Sequence, residues 1–239
     1  MLHIRSSLAQ ALRLVNAASP KAVVVDVILA DAGDPGESRE LEQTFRQTPR
    51  LVLASELIDD PPRWEDPRPE FSRWAAALGH VYAQPDDADA VTRVIPLDKR
   101  VGHEQRWAIA LEAFRLSRHA AIIESPSDLQ VGGTTIPCKR TSDGRLMRVR
   151  YMPPQMTLPR VSLKRLLDNP HEASKFAGKV VFVGVTATSE VRDRLLTPYA
   201  GGRPTTGIEI HTQAFETIAK ACSSWMCRRV GRRCWGCCW

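Results

Sequence analysis

Residues 178–199, GKVVFVGVTATSEVRDRLLTPY, constrain the fold more than any other stretch of this chain. Val180, Val181, Phe182 and Val183 form an unbroken apolar run between Gly178 and Gly184. Its length and β-branched content predict a strand covered on both faces, in the centre of a sheet. Small and hydroxylated residues follow (Thr186, Ala187, Thr188, Ser189), then Asp193 and a Thr197-Pro198 stop. Together they describe a loop leaving the carboxyl end of a buried strand, the place where open α/β sheets hold ligands. Asp193 is therefore a candidate ligand contact, although an ordinary loop carboxylate beside Arg192 and Arg194 would look the same.

The rest of the chain supplies the partners such a strand needs. Leu8, Ala11, Leu12, Val15 and Ala18 recur at helical spacing over residues 6–18, and Pro20 ends that helix. Residues 21–31, KAVVVDVILAD, predict a second buried strand, with Asp26 as the anomaly in its middle. A buried carboxylate costs several kcal/mol unless it is paired or neutral, so Asp26 either lies near the exposed end of the strand or has a structural or ligand partner. Ser38 reads as the cap of a helix carrying Leu41 and Phe45, and residues 50–56, RLVLASE, read as a third strand. This alternation of helix and strand predicts crossover units and a largely parallel sheet.

Further along, residues 59–69 read as a proline-rich acidic loop. Phe71, Trp74, Ala75 and Leu78 then make a helical face closed by Gly79. Residues 80–84 and 91–97 predict a hairpin around the turn PDDADA, with Arg93 placed to bridge Asp89. That acidic turn lacks the spacing and terminal Glu of an EF-hand loop, so a solvated turn is its reading. Residues 104–118 predict one helix, residues 122–145 small peripheral strands, and residues 146–151 an edge strand. Ser162 should cap a short helix that Asn169-Pro170 stops.

Composition narrows the function classes. The net charge of +6 suggests a polyanion binder until its position is checked: residues 222–239 hold four arginines and no acid, which leaves +2 for residues 1–221. The body is not a nucleic-acid binder on this evidence. Cys138 is the one thiol of the body, so it has no internal disulfide there and fits either redox compartment. No run approaches the roughly 20 apolar residues of a membrane helix, and the start lacks the continuous apolar core of a secretory signal. No P-loop, G-x-S-x-G or H-E-x-x-H occurs; His103-Glu104 and His171-Glu172 lack a second histidine at the required spacing.

The last stretch, CSSWMCRRVGRRCWGCCW, is unlike the rest. Cys222, Cys227, Cys234 and Cys237 could supply four thiolates to zinc, and Cys234 with Cys237 could form a redox pair, but the spacing is irregular and no βαβ context surrounds them. Tryptophan has the single codon TGG, and with GC-rich choices for its neighbours the DNA for residues 235–239 reads Leu-Gly-Leu-Leu-Leu one base upstream. The reading preferred is an out-of-frame rendering of a leucine-rich membrane helix; a genuine Cys/Trp tail is the alternative.

Taken in order, the opening helix with AVVVDVIL, the strand LVLAS, DADAVTRVIPL, VRYMPP with LPRVSLKRLL, and GKVVFVGVTATSEVRDRLLTPY running into TGIEIHTQAFETI resemble the CHASE2 family over residues 5–221. The family's usual Asp-Gly before the Val-x-Arg strand is here Asp89-Ala90, which asks alanine to make a turn that favours glycine. The resemblance implies an α/β fold with a mostly parallel central sheet, flanking helices and a small peripheral β insertion. It implies an extracytoplasmic sensory domain (residues 1–221) of a bacterial transmembrane receptor, feeding a cyclase or kinase output that is not in this sequence. A small-molecule ligand of unknown identity, a membrane reached through flanking helices outside this sequence, and no cofactor or metal are the corresponding expectations; a homodimer is an assembly open to it. Candidate ligand contacts are Asp26, Asp89, Arg93, Asp193 and His211, each with a plain structural alternative. The competing class is a soluble α/β enzyme or binding protein with a metal or redox tail.

Overall fold

The computed structural model describes residues 4–153, 156, 158–186, 194–199, 201 and 204–221. Asp193 and the cysteine-rich stretch 222–239 lie outside the described residues. The chain opens with α1 (Ile4–Ala17), β1 (Ala22–Asp26), α2 (Pro35–Arg46) and β2 (Leu51–Asp59). β3 (Pro62–Glu65), α3 (Pro69–Ser72) and β4 (Ala77–His80) follow. Next come β5 (Val94–Pro96), β6 (Asp98–Val101), β7 (Glu104–Trp107) and α4 (Ile109–Ser117). The peripheral strands are β8 (Ile122–Glu124), β9 (Asp128–Val131), β10 (Thr134–Pro137), β11 (Lys139–Thr141) and β12 (Gly144–Arg148). After α5 (Leu163–Asp168) and a 3₁₀ helix (Pro170–Phe176) come β13 (Val180–Gly184), β14 (Arg194–Leu195), β15 (Thr205–Thr206) and α6 (Gly207–Ala219).

The main sheet runs β13-β1-β2, with β4 beside the first half of β2 and β3 beside its second half. β13, β1, β2 and β4 are mutually parallel, while β3 folds back antiparallel through residues 56–65. Alternation along the strands sorts the side chains between two layers. Val23, Val25, Leu51, Leu53 and Val181 pack with Leu8, Leu12, Val15, Leu41 and Phe45 of α1 and α2. Val24, Val52 and Ala54 face Ile109 and Ala113 of α4 on the other side. Each such Val or Leu, fully withdrawn from water, contributes about 2 kcal/mol. A further cluster joins α4 and α6 to the peripheral strands through Leu111, Phe114, Leu129, Ile136, Met147, Ile210 and Ala214.

Several expectations are corrected. The apolar run at Val180 lies at the edge of the main sheet, since β13 pairs only with β1 among the described residues; an apolar run reports that both faces are covered, not that both sides are paired. α2 is capped by Asp34, whose Oδ1 accepts the Gly36 and Glu37 amides at 2.8 and 2.9 Å, with Pro35 at the first helical position. Ser38 instead lies one turn inside the helix. The acidic loop contains β3, and the helical face from Phe71 breaks after Ser72, placing Leu78 and Gly79 in β4. Gly79 permits this: a Cβ there would come within 2.5 Å of the Ile109 Cα, so β4 and α4 touch backbone to backbone. The supposed hairpin of residues 80–97 does not form, because β4 pairs with β2 and β5 with β12. Residues 104–107 are a strand rather than the first turn of α4, and β12 lies between β11 and β5 instead of at an edge.

Candidate functional site

The carboxyl ends of the parallel strands β13, β1, β2 and β4 lie along one edge of the main sheet. Asp26 and Gly184 are register partners at the last residues of β1 and β13, and Ser55 and His80 are register partners where β4 ends. Asp26 is half-buried at the strand end and is not without an interaction partner. Above Gly184 stands α6: a Cβ at this glycine would meet Ile208 side-chain atoms at 2.9 Å. A capping box between Thr206 and Glu209 starts α6, and His211 follows on its buried side.

A polar network occupies the β2–β4 end of this edge. Ser55 donates to Asp66 Oδ1 at 2.6 Å, and the buried Arg106 guanidinium donates to Ser55, Asp66 and Glu104. Burial works against the charged form of Asp66, but hydrogen bonds from Arg106 and Ser55 outweigh it and hold the carboxyl below its usual range. Arg106 also lies 4.8 Å from the centroid of the Trp64 ring, which stacks on His80 with centroids 6.4 Å apart. His80 Nδ1 accepts the Tyr82 amide at 3.3 Å. Its pKa is lowered to about 3, first by burial and then by the charges of His211, Lys99 and Arg106, so the ring is neutral near pH 7. His80 is bridged to Ala108, the residue before α4, which ties this network to that helix.

Beyond the carboxyl half of β2 lies a cavity of about 500 Å³. Leu57 and Asp59 of β2 and Pro62 of β3 line one side; β6 and the β11–β12 hairpin line the other. Lys99 and Arg145 are buried at its wall, paired respectively with Asp143 and, at 2.9 Å, with Glu124. Asp98, also buried, accepts the Arg145 amide at 2.7 Å and Gln105 Nε2 at 3.0 Å. Behind Lys99 the Tyr82 ring centroid is 4.1 Å from Nζ, and behind Arg145 the Ser125 carbonyl accepts from Nη1 at 2.7 Å. Tyr82 is pushed above its ordinary pKa by burial and by the nearby Asp59 and Asp143 charges. Gly144 lets the β11–β12 turn approach β6: with φ +110°, its Cβ would be 2.2 Å from the Asp98 carbonyl oxygen. Cavity and network share a strand pair, because Lys99 on β6 is the register partner of Arg106 on β7.

Among the described residues, Asp26, Asp89, Arg93 and His211 do not line this cavity, and Asp193 lies outside them. Asp89 and Arg93 form an exposed two-pronged ion pair at 2.8 and 2.6 Å, which lowers Asp89 to about pKa 2 through the Arg93 and Val91 hydrogen bonds. That turn is fastened to the segment before α6 by the Thr92 amide, which donates to the Leu196 carbonyl at 2.8 Å. His211 is buried in α6, within electrostatic reach of His80. Sequence reasoning missed Asp98, Lys99, Glu124, Asp143 and Arg145, which come from four separate strands and turns. The one local signal was Asp143-Gly144, the dipeptide of a tight hairpin turn.

Among the described residues no three His, Cys, Asp or Glu side chains are grouped to hold a metal ion, and no helix is long and apolar enough to cross a membrane. No curated protein and no solved structure matches the sequence. A family match does, running over residues 4–239, essentially the whole chain. By that match the protein belongs to the CHASE2 domain family, whose members are extracytoplasmic sensory domains rather than catalytic ones.

Proposed function

We propose that this domain is the ligand-sensing input of a bacterial transmembrane receptor and that the cavity beyond β2 is its ligand seat. The observation that carries the reading is the coupling of an open, charged cavity to a buried core. Lys99 in the cavity wall pairs across strands with Arg106, whose network reaches His80 and Ala108 and so the start of α4. α4 in turn packs on α6 through Phe114 and Phe215, with ring centroids 6.1 Å apart, and Phe215 meets Phe182 of β13 at 5.5 Å. A ligand that favours one position of the β6–β7 pair therefore biases α6 as well. In this reading α6 is the output lever, residues 222–239 stand where a membrane helix follows, and the receptor's cyclase or kinase lies beyond it.

The test is a thermal-shift screen of the full chain against amino acids, organic acids, sugars, nucleobases and ions, repeated on Ser142→Trp, which places a bulky ring at the exposed cavity rim. A ligand at one hundred times its Kd adds about 2.7 kcal/mol. The reading predicts a midpoint rise that Ser142→Trp abolishes. A rise that Ser142→Trp leaves intact would move the seat elsewhere. The codons of residues 222–239 test the tail separately: a neighbouring frame without an apolar run excludes a displaced membrane helix.

A further inference from the structure

We infer that the cavity beyond β2 takes a small organic dianion with two separate acid groups, which replaces Asp143 and Glu124 as partner of Lys99 and Arg145; this rests on the cavity being the ligand seat.

The argument begins with an asymmetry in the two ion pairs. The cations are sealed, with side-chain exposures of 7% for Lys99 and 4% for Arg145, whereas their acids are open, at 57% for Asp143 and 43% for Glu124. A buried cation left without an anion is strongly unfavourable, so both sites require a negative charge. Nothing in the geometry requires that charge to come from the protein. Asp143 sits in the turn between β11 and β12, and Glu124 ends β8, so each acid can swing into water at little cost.

The cations, by contrast, do not depend on those acids for their position. Lys99 is seated against the Tyr82 ring, and Arg145 is fixed by the Ser125 carbonyl. The remaining buried acid cannot compete for them as a mobile group, because both Asp98 oxygens are occupied by the Arg145 amide and Gln105. Binding is then an exchange: two water-accessible carboxylates leave and two ligand acid groups enter, with the number of ion pairs unchanged. The gain comes from preorganised cations and from closing the cavity to water. A cationic ligand lacks this logic, since it would have to draw Asp143 and Glu124 away and leave Lys99 and Arg145 unpaired. The space suits the class, since cavities of roughly 300 to 1,000 Å³ hold small molecules.

The experiment is calorimetric titration of the full chain with succinate and glutarate, beside acetate, inorganic phosphate and putrescine. Succinate or glutarate should bind, with acetate and phosphate at least tenfold weaker. Asp143→Asn and Glu124→Gln remove the internal competitors at exposed positions, and each should tighten dicarboxylate binding about threefold. Lys99→Met should weaken it by tenfold or more, and Ser142→Trp, which leaves the buried charges in place, should do the same without relying on a core substitution. Weaker dicarboxylate binding in Asp143→Asn overturns the exchange, because that acid would then be a ligand contact. Putrescine, acetate or phosphate binding as well as or better than the dicarboxylates, in a manner lost in Ser142→Trp, overturns the class while the seat stands. If none of the probes binds and Ser142→Trp leaves signalling of the intact receptor unchanged, the seat itself is wrong and the inference goes with it.

Discussion

Ala90 offers a substitution whose sign runs against the usual rule for glycine. It has φ +58° in the turn before β5, its amide donates to the Asp86 carbonyl at 2.8 Å, and its methyl is exposed. The left-handed conformation costs an L-residue about 1–2 kcal/mol, a cost glycine avoids. Ala90→Gly recovers that strain but returns about 0.4–1 kcal/mol to the unfolded chain as added freedom. With no packing lost, the net should be a stabilisation of about 0.7 kcal/mol, or about 2 °C in the midpoint for a chain of this length. Urea unfolding followed by circular dichroism reads the free energy, and calorimetry reads the midpoint. Ala90→Val is the control, since a β-branched residue in this conformation should lose about 1–2 kcal/mol. A lower midpoint for Ala90→Gly together with an unchanged one for Ala90→Val would refute the positive-φ turn, and with it the account of how Thr92 is presented to Leu196.

The other predictions concern the core and the route to α6. Gly79→Ala drives a Cβ to within 2.5 Å of the Ile109 backbone, so it should cost about 3 kcal/mol or abolish soluble expression, read from yield and urea midpoint. Phe215→Leu keeps most of the apolar area but removes two edge-to-face ring pairs, an expected loss of about 1–2 kcal/mol, and on the proposed sensing role it should also weaken signalling. His80 should make stability acid-sensitive. The folded state keeps the ring neutral down to about pH 3, whereas the unfolded chain takes up a proton below about 6.5. Its contribution is therefore complete above pH 6.5 and is lost as the pH falls towards 3, about 2 kcal/mol of it between pH 7 and 5. His80→Gln should flatten this part of the pH profile of the urea midpoint; an unchanged profile would mean that the ring is not held neutral.

The long elements were legible because their patterns are unambiguous: the α1 stripe, the valine runs of β1 and β13, and the apolar start of β2 each have one period and enough length to show it. What failed was short or two-valued. Leu78 continues the helical spacing from Phe71 and Trp74, yet four residues and a glycine that admits α4 place it in β4. Position within the sheet was hidden as well, since Val180 to Val183 are covered by helices on both faces whether or not a strand lies on each side. The sequence directed attention to the loop after β13, most of which lies outside the described residues, and gave no sign of the charged cavity beyond β2. Its charged residues have no motif spacing because they meet only where β6, β8 and the β11–β12 hairpin, members of three separate sheets, come together, and that is a tertiary fact. The Asp89–Arg93 bridge is local in sequence and was visible for that reason.

β2 spans nine residues, about 30 Å of extended chain. Its first half is held between β1 and β4, while its second half projects with β3 as its one paired strand among the described residues. In mechanical terms this is a cantilever with the cavity against its free end. A clamped beam displaces most at the tip and hardly at all at its root, so bending the projecting hairpin cannot by itself shift the interior of the sheet. The projecting half meets the gripped half at Ser55, the last residue paired with β4, whose hydroxyl Asp66 and Arg106 share. Stiffness of the strand and softness of that junction are then separate properties, and in the proposed sensor a substitution at Ser55 would change the gain while leaving the cavity lining untouched.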